Sequence, residues 1–191
     1  MKNTIIILFF YFWSIATYSQ IVVDMAGESM TFHHRNGAYY IKDINNYFGP
    51  YLGTWSYTNG NEEFRVTIVK VTMFHEIDTD YNMNYFIDGL LIGYQKYQNG
   101  ELVFNSPPDT YPTGISKEFG KLFMSFDDYE RNNESFPVDL ILIPINQIGN
   151  SPQYKLKFRL DMFERRNTYF DQHPTEPYFS VPNNIEMVKV Q

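Results

Sequence analysis

A chain of 191 residues, 43% of them hydrophobic, is long enough to bury one core and sets a prior of one domain. Its formal net charge of −7 argues against nucleic acid and anionic membrane surfaces as partners. With no cysteine, the chain has no disulfide, no thiolate nucleophile and no cysteine-held zinc.

Lys2, an apolar run from Ile5 to Trp13, and small residues at Thr17 and Ser19 follow the order of a secretory signal peptide. Cleavage is expected between Ser19 and Gln20, so residues 1–19 form the signal and residues 20–191 one domain. The apolar run falls short of the ~20 residues a helix needs to cross a bilayer. The mature protein is therefore expected without a membrane anchor, exported to the periplasm or secreted.

From Gln20 to Tyr40 the pattern is weak, and Ile21-Val22-Val23 reads as a short strand or an ordered arm. The stretch from Ile41 to Leu52 reads as a short N-terminal helix, capped by Asp43 and stopped by Gly49-Pro50. Tyr51 to Lys70 reads as a hairpin turning at Asn59-Gly60, a type I′ signal. Alternation puts Gly53, Trp55, Tyr57, Phe64, Val66 and Ile68 on its buried face. A register with Trp55 opposite Phe64 follows.

The second strand is expected to continue through Val69–Phe74, and His75–Met83 reads as an acidic loop. Asn84–Tyr97 reads as a strand, turned by Asn99-Gly100 into Glu101–Phe104. Three prolines make Asn105–Gly114 a loop. Lys117–Phe126 and Val138–Ile145 follow as strands, separated by a charged turn at Asp127–Ser135. Tyr154–Asp161 alternates strictly, with one buried and one wet, basic face. Phe163–Pro177 reads as a loop and Phe179–Val190 as the last strand. Aromatics at 18% and this density of short strands favour an all-β fold.

The run G-A-Y-Y-I-K-D-I-N-N-Y-F-G-P-Y-L-G-T-W, Gly37 to Trp55, resembles a family of uncharacterised exported proteins of Bacteroidota. Their shared features are K-D-I/L-N-N, Y-x-G-T-W and a closing strand after P-x-N, here Pro182 to Lys189. Gly53-Thr54-Trp55 also resembles the G-x-W start of lipocalins. That resemblance implies a Trp55 ring packed under a barrel floor against a basic residue, here Lys189, with Gly53, Trp55 and Lys189 structural. The expected fold is all-β: an antiparallel, up-and-down, lipocalin-like β-barrel of about eight to ten strands with a short N-terminal helix.

No arrangement in the chain carries a reaction. His33, His34, His75 and His173 lack metal-ligand spacing. Glu76, Asp78 and Asp80 alternate as oxygen donors, but without an EF-hand pattern. Asp127, Asp128 and Glu130 offer paired carboxylates in what reads as a turn. Asn133-Glu134-Ser135 matches a glycosylation sequon. The expectation is a non-enzyme with no cofactor and no metal, binding a small, partly apolar molecule inside the barrel. Tyr57, Phe64, Tyr97, Phe104 and Phe158 are its candidate contacts, and Val66, Leu102 and Leu156 complete the inward set. The alternative is a structural or interaction role in the cell envelope with a filled barrel. Nothing in the sequence sets the oligomeric state.

Overall fold

The computed structural model describes residues 20–26, 36–107, 109–145, 153–162 and 168–190. The expected signal segment, residues 1–19, and the His33-His34 pair lie outside the described residues. The architecture is all-β. The eleven strands among the described residues are β1 (Ile21–Asp24), β2 (Tyr39–Lys42), β3 (Gly53–Asn59), β4 (Glu62–Asp78), β5 (Met83–Gln98), β6 (Glu101–Asn105), β7 (Ile115–Glu118), β8 (Lys121–Asp128), β9 (Glu134–Pro144), β10 (Tyr154–Leu160) and β11 (Ile185–Lys189). One short helical segment, α1 (Thr168–Gln172), precedes the last strand.

All strands belong to one sheet of order β1-β2-β5-β4-β3-β11-β10-β9-β8-β7, with β6 paired to β5 beside that path. Its ladder is open, ending at β1 and β7. It is also not wholly up-and-down, because β1–β2 and β2–β5 are parallel. Between β6 and β7 the chain follows the outer edge of β5. Ser106 N donates to Tyr94 O at 2.9 Å, and Leu90 and Thr113 exchange backbone bonds of 2.7 and 2.8 Å. Thr113 Oγ1 in turn accepts from Ser125 N of β8 at 3.4 Å.

The opening hairpin keeps its expected faces but not its expected turn. Tyr57 pairs with Phe64 and Trp55 with Val66, so the loop residues are Gly60 and Asn61. Gly60 has φ +63°, suited to the first loop position of a type II′ turn. Moving the turn by one residue moves the register by two, and a slip of two leaves every side chain on its face. The second hairpin turns at Asn99 and Gly100 with φ of +54° and +82°, the type I′ arrangement.

Several expectations fail. No N-terminal helix forms: Tyr39–Lys42 is a strand, and Gly49-Pro50 begins a 3-10 turn, Gly49–Tyr51, where it was expected to stop a helix. His75–Met83 is not a loop, since β4 runs to Asp78 and β5 starts at Met83. Lys117–Phe126 divides at Gly120, φ +86°, into parts of β7 and β8. The final strand covers only Ile185–Lys189.

The inner faces of the two halves of the sheet meet in one core. Phe64 of β4 and Phe158 of β10 pack edge to face at 5.7 Å, Phe126 of β8 and Phe158 at 5.4 Å, and Tyr94 of β5 lies 5.1 Å from Phe126. Leu156, Phe158 and Leu160 alternate inward from β10 as expected, with Arg159 exposed. The core is filled with side chains: Phe48, Tyr51, Trp55, Val66, Ile68, Met124, Leu140 and Met187 are all below 2% exposed.

Candidate functional site

At the hairpin end of the sheet an open cleft of about 500 Å³ lies between the two turns and the segment 177–182. Tyr57, Phe64, Lys96, Tyr97, Val103 and Phe179 contribute to its walls. Phe64 forms its floor from the core and is 2% exposed. Tyr57 is half-buried and packs its ring against that core. Its hydroxyl has no hydrogen-bond partner among the described residues.

Segment 177–182 is fixed by three polar anchors. Asp128 is fully buried, and its carboxylate accepts from Ser180 N at 2.8 Å and Ser180 Oγ at 2.5 Å. Lys96 Nζ donates to Ser180 O at 2.9 Å and to Glu130 Oε2 at 2.7 Å. Arg131 donates to Pro177 O at 3.2 Å and covers the Tyr169 ring at 4.5 Å. Lys96 lies opposite Phe64 on the inner face, so the cleft meets the core beside an ion pair.

Of the five residues expected to line an interior cavity, three lie at this cleft: Tyr57, Phe64 and Tyr97. Tyr97 does so from the outer face, a correction to the expected inward set. It pairs with Glu63, stacks its ring on Arg65 at 4.4 Å and donates to Gln95 Oε1 at 2.9 Å. Leu102, paired with Tyr97, is 51% exposed. A register shift at Val103 then turns Phe104 inward opposite Lys96, where it stacks on Tyr94 at 5.1 Å. Bulges reverse the parity of a strand in this way. Phe158 is fully buried.

At the other end, Trp55 is 1% exposed. Its Nε1 donates to Tyr51 O at 2.7 Å, and Lys189 Nζ lies 5.3 Å from the ring. Gly53 has φ +107°, and a Cβ there would meet Lys189 Cε at 3.2 Å. A second cleft, of about 720 Å³, flanks this floor and is lined by Pro50, Phe119, Tyr154, Val188 and Lys189 among others.

Sequence reasoning missed a buried polar knot joining β2, β4 and β5. Asp88 is 1% exposed, accepts from Tyr40 OH at 2.5 Å and lies 3.4 Å from Lys70 Nζ. Asp43 accepts from Tyr47 N at 2.7 Å, Phe48 N at 3.1 Å and Lys70 Nζ at 3.0 Å. Burial, with the bond to Asp88, pushes the Tyr40 hydroxyl up to about 12. Each carboxylate has a cation and backbone donors, so the knot holds the loop above the 3-10 turn rather than offering a free acid. Asp43, expected to cap a helix, instead accepts from Tyr47 N and Phe48 N ahead of the 3-10 turn, which has no side-chain cap. Glu76, also expected in a loop, is buried and accepts from Tyr111 OH. Among the described residues no group of three or more His, Asp or Glu side chains is placed to hold a metal ion.

Among the described residues two core hydroxyls, Tyr51 OH and Tyr94 OH, lack a hydrogen bond of normal geometry; burial raises the pKa of both, and the charges of Asp128 and Glu130 add to the rise at Tyr94. Among the described residues no helix is long and apolar enough to cross a membrane.

A family model described as a family of unknown function (DUF6705) matches residues 1–113. No curated protein matches the chain, and no solved structure does.

Proposed function

Because the chain belongs to that family of unknown function, we propose from its geometry that it is an exported, non-catalytic, lipocalin-like barrel. It binds a small, partly apolar molecule in the rim cleft. Three features support the barrel: the 106–113 segment bonded to both β5 and β8, the β3–β11 pairing, and the Gly53–Trp55–Lys189 floor. The binding site moves from the interior to the rim, because large side chains occupy the interior.

One observation carries the binding reading. Tyr57 presents a half-buried ring and an unpartnered hydroxyl to a cleft floored by Phe64. An apolar wall with a few polar groups is the usual make-up of a small-molecule site. The test is fluorescence titration with 1-aminoanthracene and with indole. Saturable binding is expected, at one site, and should be lost in Tyr57→Ala while that variant is still folded at the assay temperature. At a hundredfold excess over Kd the ligand should stabilise the protein by about 2.7 kcal/mol. Absence of saturable binding, or binding that survives Tyr57→Ala and Val103→Ser, removes the rim cleft as the site.

The filled core favours a second reading, an interaction protein of the cell envelope. The floor cleft would be its contact surface, since Phe119 and Val188 are 56% and 52% exposed there. Cross-linking in the native envelope that is lost on Phe119→Ser, with no small-molecule binding, would select it.

A further inference from the structure

A third opening has a different chemistry. It is a groove of about 570 Å³ on the outer face of β8, roofed by Pro107 and the segment 109–113. Ser125 and Asp127 reach it because β8 alternates, sending Met124, Phe126 and Asp128 into the core. The opposite wall carries Asp109, Thr110 and Tyr111, and Tyr129 closes one end. No lysine or arginine among the described residues lines it.

Two of its groups are held in place while remaining accessible. Tyr111 is 55% exposed, yet its hydroxyl donates to the buried Glu76, and its ring meets Phe74 edge to face at 5.4 Å. It is a fixed, open aromatic platform. Asp109 is half-buried and oriented by two donors, Tyr129 OH at 3.0 Å and Ile92 N at 3.2 Å. An ionised carboxylate has about four acceptor positions, so two of its positions stay open. Burial, reinforced by the charge of Asp127, pushes the Asp109 carboxyl up. Asp127 has no hydrogen-bond or ion-pair partner among the described residues.

These groups select among ligands. Two carboxylates without a counter-cation repel phosphates and other anions. A metal ion finds no group of three donors among the described residues. What remains complementary is a neutral molecule with many hydroxyls and one apolar face. Its O–H groups donate to the carboxylates, its oxygens accept from Ser and Thr hydroxyls, and its C–H face lies on a tyrosine ring. We propose that this groove is a binding site for a neutral saccharide, with Asp127 and Asp109 accepting from ring hydroxyls and Tyr111 as the stacking platform. It is separate from the rim cleft and adds to the reading above.

The experiment is isothermal titration of the mature protein with cellohexaose, maltohexaose and chitohexaose, and with a sulfated oligosaccharide as the anionic control. Saturable binding of at least one neutral chain is expected, with none of the sulfated one. Asp127→Asn keeps the shape of an accessible side chain and should weaken binding about tenfold or more, the worth of a hydrogen bond to a charged group. Ser125→Ala should weaken it less, and Tyr57→Ala in the rim cleft should leave it unchanged. No saturable binding at millimolar saccharide, equal affinity in Asp127→Asn, loss in Tyr57→Ala, or calcium binding at Asp127 without any saccharide binding would each overturn the proposal.

Discussion

Replacing Trp55 tests the floor of the sheet most directly. The ring is 1% exposed, so Trp55→Ala opens a cavity in a filled core and should cost ~3–5 kcal/mol. Part of that cost is polar: Nε1 donates to Tyr51 O at 2.7 Å, and an orphaned buried carbonyl costs about 1–3 kcal/mol. Trp55→Phe separates the two contributions. It keeps most of the volume and loses the bond, so it should cost ~1–3 kcal/mol. Lys189→Met removes the cation over the ring and, at an exposed site, should cost no more than about 1 kcal/mol. The assay is urea unfolding followed by far-UV circular dichroism, because fluorescence loses its probe with the residue. The midpoint should fall while the slope stays constant. An unchanged midpoint in Trp55→Ala would show that the ring does not lie in the core. A loss in Trp55→Phe as large as in Trp55→Ala would mean that the hydrogen bond, not the volume, dominates.

Gly89→Ala probes how closely the 106–113 segment presses on β5. A Cβ there would lie 2.7 Å from Pro112 Cβ, so the melt should reveal a loss of about 1–3 kcal/mol, and no loss would mean that the segment stands off. Glu63 gives a pH dependence. Its bonds to Arg65, helped by Ser56 and opposed by burial, hold its carboxyl below the ordinary 4.5. Its stabilisation is therefore present above that value and is lost as pH falls through the depressed one. Thermal melts of wild type and Glu63→Gln should differ near neutral pH and converge in acid, and a gap that widens in acid would reverse the sign.

The sequence made the faces of the strands legible better than their neighbours. The pattern of Trp55, Tyr57, Phe64 and Val66 held because an even slip preserves a face, even though the turn moved to Gly60 and Asn61. Tyr97 misled because the bulge at Val103 separates it from Phe104 in parity, and alternation carries no mark of a bulge. Glu76 sat in an acidic run that reads as loop. Its partner Tyr111 belongs to a segment far along the chain, so its burial had no local signal. The Asp43–Lys70–Asp88 knot was hidden for the same reason, since its members come from three separate stretches. The rim cleft was partly visible, through Tyr57 and Phe64, but not Lys96 or the 177–182 segment that walls it.

The β3–β11 seam has a consequence for the order in which the molecule can be built. Lys189 and Val188 pair with Trp55 and Ser56, so β11 completes a layer begun by β3, far earlier in the chain. Until Ile185–Lys189 arrives, the edge of β3 has no partner and Met187 is missing from the core. The β3 layer therefore cannot be completed until β11 has been made. Contacts so distant along the chain are slow to form, and the exposed β3 edge is open to wrong pairings in the meantime. Deletion of Ile185–Lys189 would thus be felt at β3, as an unfinished layer rather than a shortened chain.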